Sequence, residues 1–254
     1  MNSTVTTTQT NPPPQMTTAS TEAATRPNPF GLPIATAARL PLAAFAVVSV
    51  VQLVARAVGA ELIGDITKPM LIPLLLAFVL IGVGPGFGPS SRWLGIGLSF
   101  AWLGDIALMS DTQTWFAIGI VMFLVMQLCY ITGYFRLGAR DGLRRKRWLL
   151  IVYPAFWVVA NVALWPGLGP MRVPIMVYSA ALVTMAMCSV AVGPWMGLGG
   201  TLFMFSDLMI GEGVAYGSFP GSDFLIMLLY ILGQLIICMV WVGRVRRRWR
   251  EHAA

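Results

Sequence analysis

Two aspartates, Asp105 and Asp207, stand inside long apolar stretches, and they are the residues of this sequence best placed to do chemistry. A carboxylate at the middle of a bilayer costs at least ~2.5 kcal/mol, so each side chain must face protein or water. If the two lie close together, like-charge repulsion in a medium of low dielectric constant leaves one protonated while the other is ionised. Such a pair supplies a general acid and a general base at one site. The alternative is structural: each aspartate caps a broken helix or accepts a hydrogen bond from a neighbouring helix.

Other polar side chains lie at plausible depth to complete such a site. They are Lys68, Gln127, Tyr130, Tyr230 and Gln234. Gln127 and Tyr130 are spaced to share one helix face, and Tyr230 and Gln234 form an i, i+4 pair. The alternative for each Gln and Tyr is an interhelical hydrogen bond, worth ~0.6 kcal/mol on average. The alternative for Lys68 is that it extends its ammonium from a membrane interface into water.

Composition predicts that these residues sit in a membrane protein. The chain has 254 residues, of which 57% are hydrophobic and only 11% charged, whereas soluble domains carry roughly 25% charged residues. The net charge of +7 is spread over short blocks between apolar runs, without a basic face interleaved with aromatics. We therefore expect membrane lipids, and no nucleic acid, as partners.

Eight apolar segments follow one another, each near the ~20 residues that cross ~30 Å of hydrocarbon as a helix. The sequence thus predicts an all-α, polytopic transmembrane bundle of about eight spans. The spans are 40–58, 68–84, 93–110, 115–136, 148–165, 173–192, 198–217 and 224–243.

Three regions are predicted along the chain: a disordered tail over 1–38, an eight-span domain over 39–243 and a basic cytoplasmic tail over 244–254. The first region is rich in Thr, Pro, Ala and Asn and has no apolar period. With eight spans, all Lys and Arg residues except Arg56, Lys68 and Arg172 fall on one side. The positive-inside rule then places both termini in the cytoplasm, and we expect a bacterial-type cell membrane.

The segments around the two aspartates, 99–108 and 201–210, resemble each other, and the next span in each case carries a mid-helix glutamine. Spans three and seven run in the same direction across the membrane. This similarity therefore indicates a parallel repeat of four plus four spans. Such a repeat would bring the two aspartates to a pseudo-twofold axis.

Histidine and cysteine give no sign of a metal or redox site. The single histidine, His252, lies in the tail, and Cys129, Cys188 and Cys238 fall in separate apolar runs without CxxC spacing. We read the cysteines as small buried residues and expect neither a metal nor another cofactor.

Several short motifs, in this order and spacing, resemble the lysoplasmalogenase family of membrane proteins (the YhhN-like, or transmembrane protein 86, family), found in bacteria and animals. The resemblance covers most of the chain from about 60 to 243. The motifs are Lys68-Pro69, Leu103-Gly104-Asp105, the stretch from Gly119 to Tyr130-Ile131, Leu202 to Ser206-Asp207, and Tyr230 to Gln234-Leu-Ile. Family members often carry His at the position of Gln127, and a Gln there cannot act as an acid or a base.

The resemblance implies hydrolysis of the vinyl-ether bond of lysoplasmalogens to a fatty aldehyde and glycerophospho-ethanolamine or -choline. Asp105 and Asp207 would be the acid and base, and no cofactor would be needed. Lys68 would meet the phosphate of the lysophospholipid, and Tyr130, Tyr230 and Gln234 would orient water or glycerol hydroxyls. An apolar groove would hold the alkenyl chain.

Three other functions fit some of the same features. A proton-coupled transporter of lipids or small molecules also uses paired membrane acids and parallel repeats. An intramembrane aspartyl protease also uses two aspartates, but its Tyr-Asp and Gly-x-Gly-Asp motifs are missing here. The third is a non-catalytic membrane protein with a structural pair of aspartates. The sequence does not determine the oligomeric state.

Overall fold

Apolar stretches of this length can bury their backbone in lipid as helices, because each peptide group is then bonded within its own segment. The computed structural model describes residues 36–84, 88–110 and 112–253, and these ranges contain helices and no β-strand. The prediction of an all-α protein is therefore confirmed. The α-helices are α1 (Thr36–Val58), α2 (Glu61–Val83), α3 (Pro89–Ala107), α4 (Gln113–Arg136), α5 (Ala139–Arg145), α6 (Leu149–Leu164), α7 (Arg172–Val192), α8 (Pro194–Tyr216) and α9 (Ser222–Ala253).

The structure describes little of the predicted N-terminal tail but nearly all of the predicted C-terminal tail. Nearly all of the predicted N-terminal tail, 1–38, lies outside the described residues, and α1 begins at Thr36. At the other end, α9 continues through the predicted basic tail as far as Ala253.

Five of the described helices are long and apolar enough to cross a membrane, and a sixth span results if α5 and α6, bent by 95° at a short break, are taken together. The five are α1, α2, α4, α7 with the 3₁₀ turn that precedes it, and α9. Helices α3 and α8 do not qualify, since they contain the two aspartates and many glycines. The helices are those of an integral membrane protein, while the count of eight spans and the four-plus-four repeat stay predictions.

The outer faces of the helices expose large apolar side chains, as lipid-facing helices do. Val54 on α1, Leu62 on α2 and Val159 on α6 are examples, each more than half exposed. The inner faces form a core to which nearly all the helices contribute, with Leu75, Phe203 and other fully buried side chains at its centre.

Glycines set how closely the inner helices approach. A Cβ on Gly104 of α3 would lie 2.7 Å from the ring of Phe123 on α4, and one on Gly233 of α9 would lie 2.9 Å from the Gly199 carbonyl oxygen of α8. Neither distance accommodates a methyl group, so glycine allows α3 to pack on α4 and α8 on α9 at these points. These two contacts determine the positions of the helices that carry Asp105 and Asp207.

Candidate active site

Asp105 and Asp207 line the same cavity. Asp105 lies near the end of α3 and is 3% exposed, and Asp207 lies in the middle of α8 and is 8% exposed. The two are close enough for the charge of one to act on the other. Helices that are far apart in the sequence thus bring two buried carboxyl groups to one space.

Each carboxyl group accepts a hydrogen bond from a tyrosine on another helix. The Tyr230 hydroxyl of α9 donates to Asp105 Oδ2 at 2.5 Å, and the Tyr178 hydroxyl of α7 donates to Asp207 Oδ2. Both tyrosines also line the cavity. The site therefore contains two carboxyl–phenol pairs, an arrangement that can hold, accept and deliver protons.

The pairs are held in place by packing around α9. The Tyr230 ring packs against both Phe123 and Phe203, with centroids 6.3 Å and 5.8 Å away, and the two phenylalanine rings also contact each other. Next to Asp207, the Ser206 hydroxyl donates to the Ile226 carbonyl oxygen of α9 at 2.9 Å. These contacts fix Tyr230 in direction and fix α8 in register with α9.

Lys68 of α2 is the basic residue in the cavity wall, and its charge acts on Asp105. Beside Lys68, α2 lacks one of its helical hydrogen bonds. Pro73 has no N–H to donate to the Pro69 carbonyl four residues earlier, and the Trp102 indole of α3 donates to that oxygen instead, at 2.9 Å. A side chain of α3 thus replaces a helical hydrogen bond of α2 one residue from Lys68.

The rest of the cavity wall is almost entirely apolar. Side chains from the end of α3 and from α4, α6, α7, α8 and α9 contribute. They are Leu108, Phe116, Ile120, Phe123, Leu164, Ile175, Leu182, Leu208, Ile210, Ile226 and Met227. A wall of this kind suits a hydrocarbon chain, with a polar group of the ligand at the carboxyl and phenol groups.

The sequence model of the YhhN family matches residues 64–241, which is more than half of the chain and includes every polar residue of the cavity named above. The chain belongs to the YhhN family. No protein of curated function and no solved structure matches it.

Three residues that the sequence suggested for the site of this YhhN-family protein are not among the described residues that line the cavity. The Tyr130 hydroxyl donates to Gln234 Oε1 at 2.8 Å, and both side chains are buried between α4 and α9. Gln127 is fully buried on α4 with its amide beside Tyr178. The proposed contact of these three residues with substrate stays a prediction.

Tyr178, which bonds Asp207, is a cavity residue that the predicted site did not include. A tyrosine inside a span is equally consistent with an interhelical hydrogen bond, and nothing in its spacing pointed to Asp207. Among the described residues of this YhhN-family chain, no three His, Cys, Asp or Glu side chains lie close enough together to hold a metal ion.

Proposed function

We propose that this protein is a lysoplasmalogenase-like hydrolase, which cleaves the vinyl-ether bond of a lysoplasmalogen to a fatty aldehyde and a glycerophospho-ethanolamine or -choline. The observation that carries the proposal is the pair of buried carboxyl groups, each bonded to a tyrosine, in one cavity whose wall is mostly apolar apart from Lys68. Membership of the YhhN family supports it.

The reaction needs a proton first. One carboxyl group, in its protonated form, delivers a proton to the alkenyl carbon remote from the ether oxygen, and an oxocarbenium ion forms. The other carboxyl group, ionised, stabilises this cation and then takes a proton from the attacking water. In the resulting hemiacetal, the first carboxyl group, now ionised, takes the hydroxyl proton, and the second, now protonated, gives its proton to the glycerol oxygen. The bond from carbon to that oxygen breaks, and the aldehyde leaves. The two carboxyl groups end with the proton that they began with.

The cavity fits the parts of this substrate. The apolar wall holds the alkenyl chain. The Lys68 ammonium binds the phosphate, because a compact positive charge is a common phosphate ligand in proteins. Tyr178 and Tyr230 hold the two carboxyl groups in orientation, and their hydroxyls would orient water or the glycerol hydroxyls. An apolar chain held this way excludes bulk water, which strengthens every charge interaction in the site.

For the membrane arrangement we propose eight spans, formed by α1–α4 and α6–α9, with both termini cytoplasmic in a bacterial-type cell membrane. Helices α3 and α8 would cross although their hydropathy is low, because their polar residues face protein. Support comes from the basic residues, which lie almost all on one side in this arrangement.

The test is aldehyde release by the full chain purified in detergent, where transport cannot occur. With lysoplasmenyl-ethanolamine as substrate, we expect wild type to release aldehyde. The rate of release should be about 10²–10⁴-fold lower in Asp105→Asn and in Asp207→Asn. Asp223→Asn is the matched control, since Asp223 is exposed at the start of α9. It should leave the rate unchanged.

Circular dichroism and size-exclusion profiles would establish that the variants are folded. If folded wild type releases no aldehyde from any lysoplasmalogen headgroup, the proposal is wrong. The carboxyl pair would then direct the search to proton-coupled transport, measured in proteoliposomes.

A further inference from the structure

The chain changes direction at a glycine just before the short helix α5. Gly138, between α4 and α5, has φ 96°, a left-handed conformation that glycine adopts without strain. The chain then bends again, and α5 lies at 95° to α6. If α6 crosses the membrane, α5 lies along the membrane surface.

One face of α5 is fixed to the end of α7. Ala139 and Gly142 are buried, and a Cβ on Gly142 would lie 2.0 Å from the Ala191 carbonyl oxygen. Just after α5, Lys146 Nζ donates to the Val190 carbonyl oxygen at 3.0 Å. Because a cation here satisfies carbonyl groups at a helix C-terminus, α5 and α7 are joined by both packing and charge.

The opposite face of α5 and the residues that follow it carry the arginine cluster Arg140, Arg144, Arg145 and Arg147. All four side chains are exposed, and none makes a hydrogen bond or ion pair with the described part of the chain. Asp141 is the one acid within α5. Three guanidinium groups on α5 and a fourth just after it are therefore exposed, while the opposite face of the helix is packed against α7.

We infer that the arginine cluster is a binding site for the phosphate groups of anionic bilayer lipids. Guanidinium groups form paired hydrogen bonds with phosphate oxygens, and the surface along which α5 lies is where lipid phosphates are found. Trp148, 54% exposed directly after the cluster, belongs to the residue type that marks this level of a bilayer. None of these residues lines the cavity, so the site is separate from the proposed hydrolase site.

The positive-inside rule alone would place basic residues on this side, but it requires neither a fixed helix nor a cluster of exposed arginines. Lys146 and Arg244 illustrate the contrast. Lys146 bonds the Val190 carbonyl, and Arg244 donates to the Val192 carbonyl oxygen at 2.7 Å. Those two cations cap α7, whereas the arginine cluster is left facing outward.

The experiment is native mass spectrometry of the full chain, titrated with phosphatidylglycerol or with phosphatidylcholine of the same acyl chains. Wild type should bind phosphatidylglycerol more tightly. The double variant Arg144→Gln/Arg145→Gln should lose about thirtyfold in this affinity, since each surface arginine contributes roughly fivefold to binding an anionic surface. The control Arg39→Gln/Arg92→Gln removes the same charge from two exposed, separated positions. It should change the affinity for phosphatidylglycerol by less than about twofold.

Equal losses in the two double variants, or no preference for phosphatidylglycerol in wild type, would overturn the inference. A measurement on wild type alone keeps the test valid if the variants fold poorly. Added sodium chloride should weaken the phosphatidylglycerol complex, because salt screens the guanidinium charges. A complex insensitive to salt would contradict a lipid site built on these charges. The readout is binding, so it does not depend on turnover.

Discussion

The Tyr230 hydroxyl donates a 2.5 Å hydrogen bond to Asp105 Oδ2, which joins α9 to α3 in the wall of the cavity. The donor lies on the same helix face as Gln234, four residues on, whose amide oxygen accepts from Tyr130. One face of α9 thus contacts α3 at the cavity and α4 one helical turn further along.

Tyr230→Phe should lower kcat by about tenfold to hundredfold, because a hydrogen bond to a charged group contributes roughly 1.5–3 kcal/mol. The aromatic packing with Phe123 and Phe203 is retained, so folding should be little affected. The matched control is Tyr134→Phe, since Tyr134 is fully buried and its hydroxyl has no hydrogen-bond partner among the described residues. Equal rates for the two variants would show that the hydroxyl at Asp105 has no part in turnover.

Lys68→Met should raise KM by about tenfold and change kcat little, since a phosphate contact made equally in the ground and transition states affects only binding. The measurement is the dependence of the initial rate on substrate concentration. Arg56→Gln is the control, because Arg56 contacts Asp65 at 3.3 Å outside the cavity. A fall in kcat at unchanged KM would instead indicate that Lys68 acts on the carboxyl pair.

Trp102→Phe should destabilise the protein by about 1–3 kcal/mol, because the Pro69 carbonyl loses the indole that replaces its helical partner. In a Pro73→Ala background the helix can form its own hydrogen bond to Pro69, and Trp102→Phe should then cost much less. Unfolding of all four proteins in detergent gives the coupling energy. Purely additive effects would mean that the indole does not serve this carbonyl.

Gly104→Ala should destabilise the protein by about 1–3 kcal/mol and lower activity, since the methyl group would meet the Phe123 ring at 2.7 Å beside Asp105. Gly211→Ala is the comparison within the same cavity, because its Cβ would meet only Leu164 Cδ1 at 3.7 Å. Thermal unfolding and turnover of both variants test this. A stable, active Gly104→Ala would show that α3 and α4 can move apart without harm to the site.

The helices could be predicted from the sequence because apolar runs of span length have one way to satisfy their backbone in lipid. The two aspartates could be singled out because a carboxyl group in such a run needs a partner. Which helix supplies the partner could not be predicted. The i, i+4 spacing of Tyr230 and Gln234 gives their common face, but not that Tyr230 meets Asp105 while Gln234 meets Tyr130.

The same limit explains Tyr178, whose spacing in the sequence carries no sign of Asp207 twenty-nine positions later. The span count is a second case. Eight apolar runs of about span length indicated eight spans, while hydropathy and length qualify five of the described helices, or six with the bent pair. Helices α3 and α8 fall short because they contain the two aspartates of the candidate site together with several glycines.

The proton transfer to carbon is the central step of the proposed reaction, and it can be measured directly. Lysoplasmenyl-ethanolamine is hydrolysed in D₂O, the aldehyde is trapped at once as a hydrazone, and its mass is determined. Proton delivery to the alkenyl carbon predicts one deuterium on the carbon next to the carbonyl, formed by wild type and at a rate about 10²–10⁴ lower by Asp105→Asn and Asp207→Asn. An aldehyde without deuterium, or full rates from either folded variant, would contradict the account.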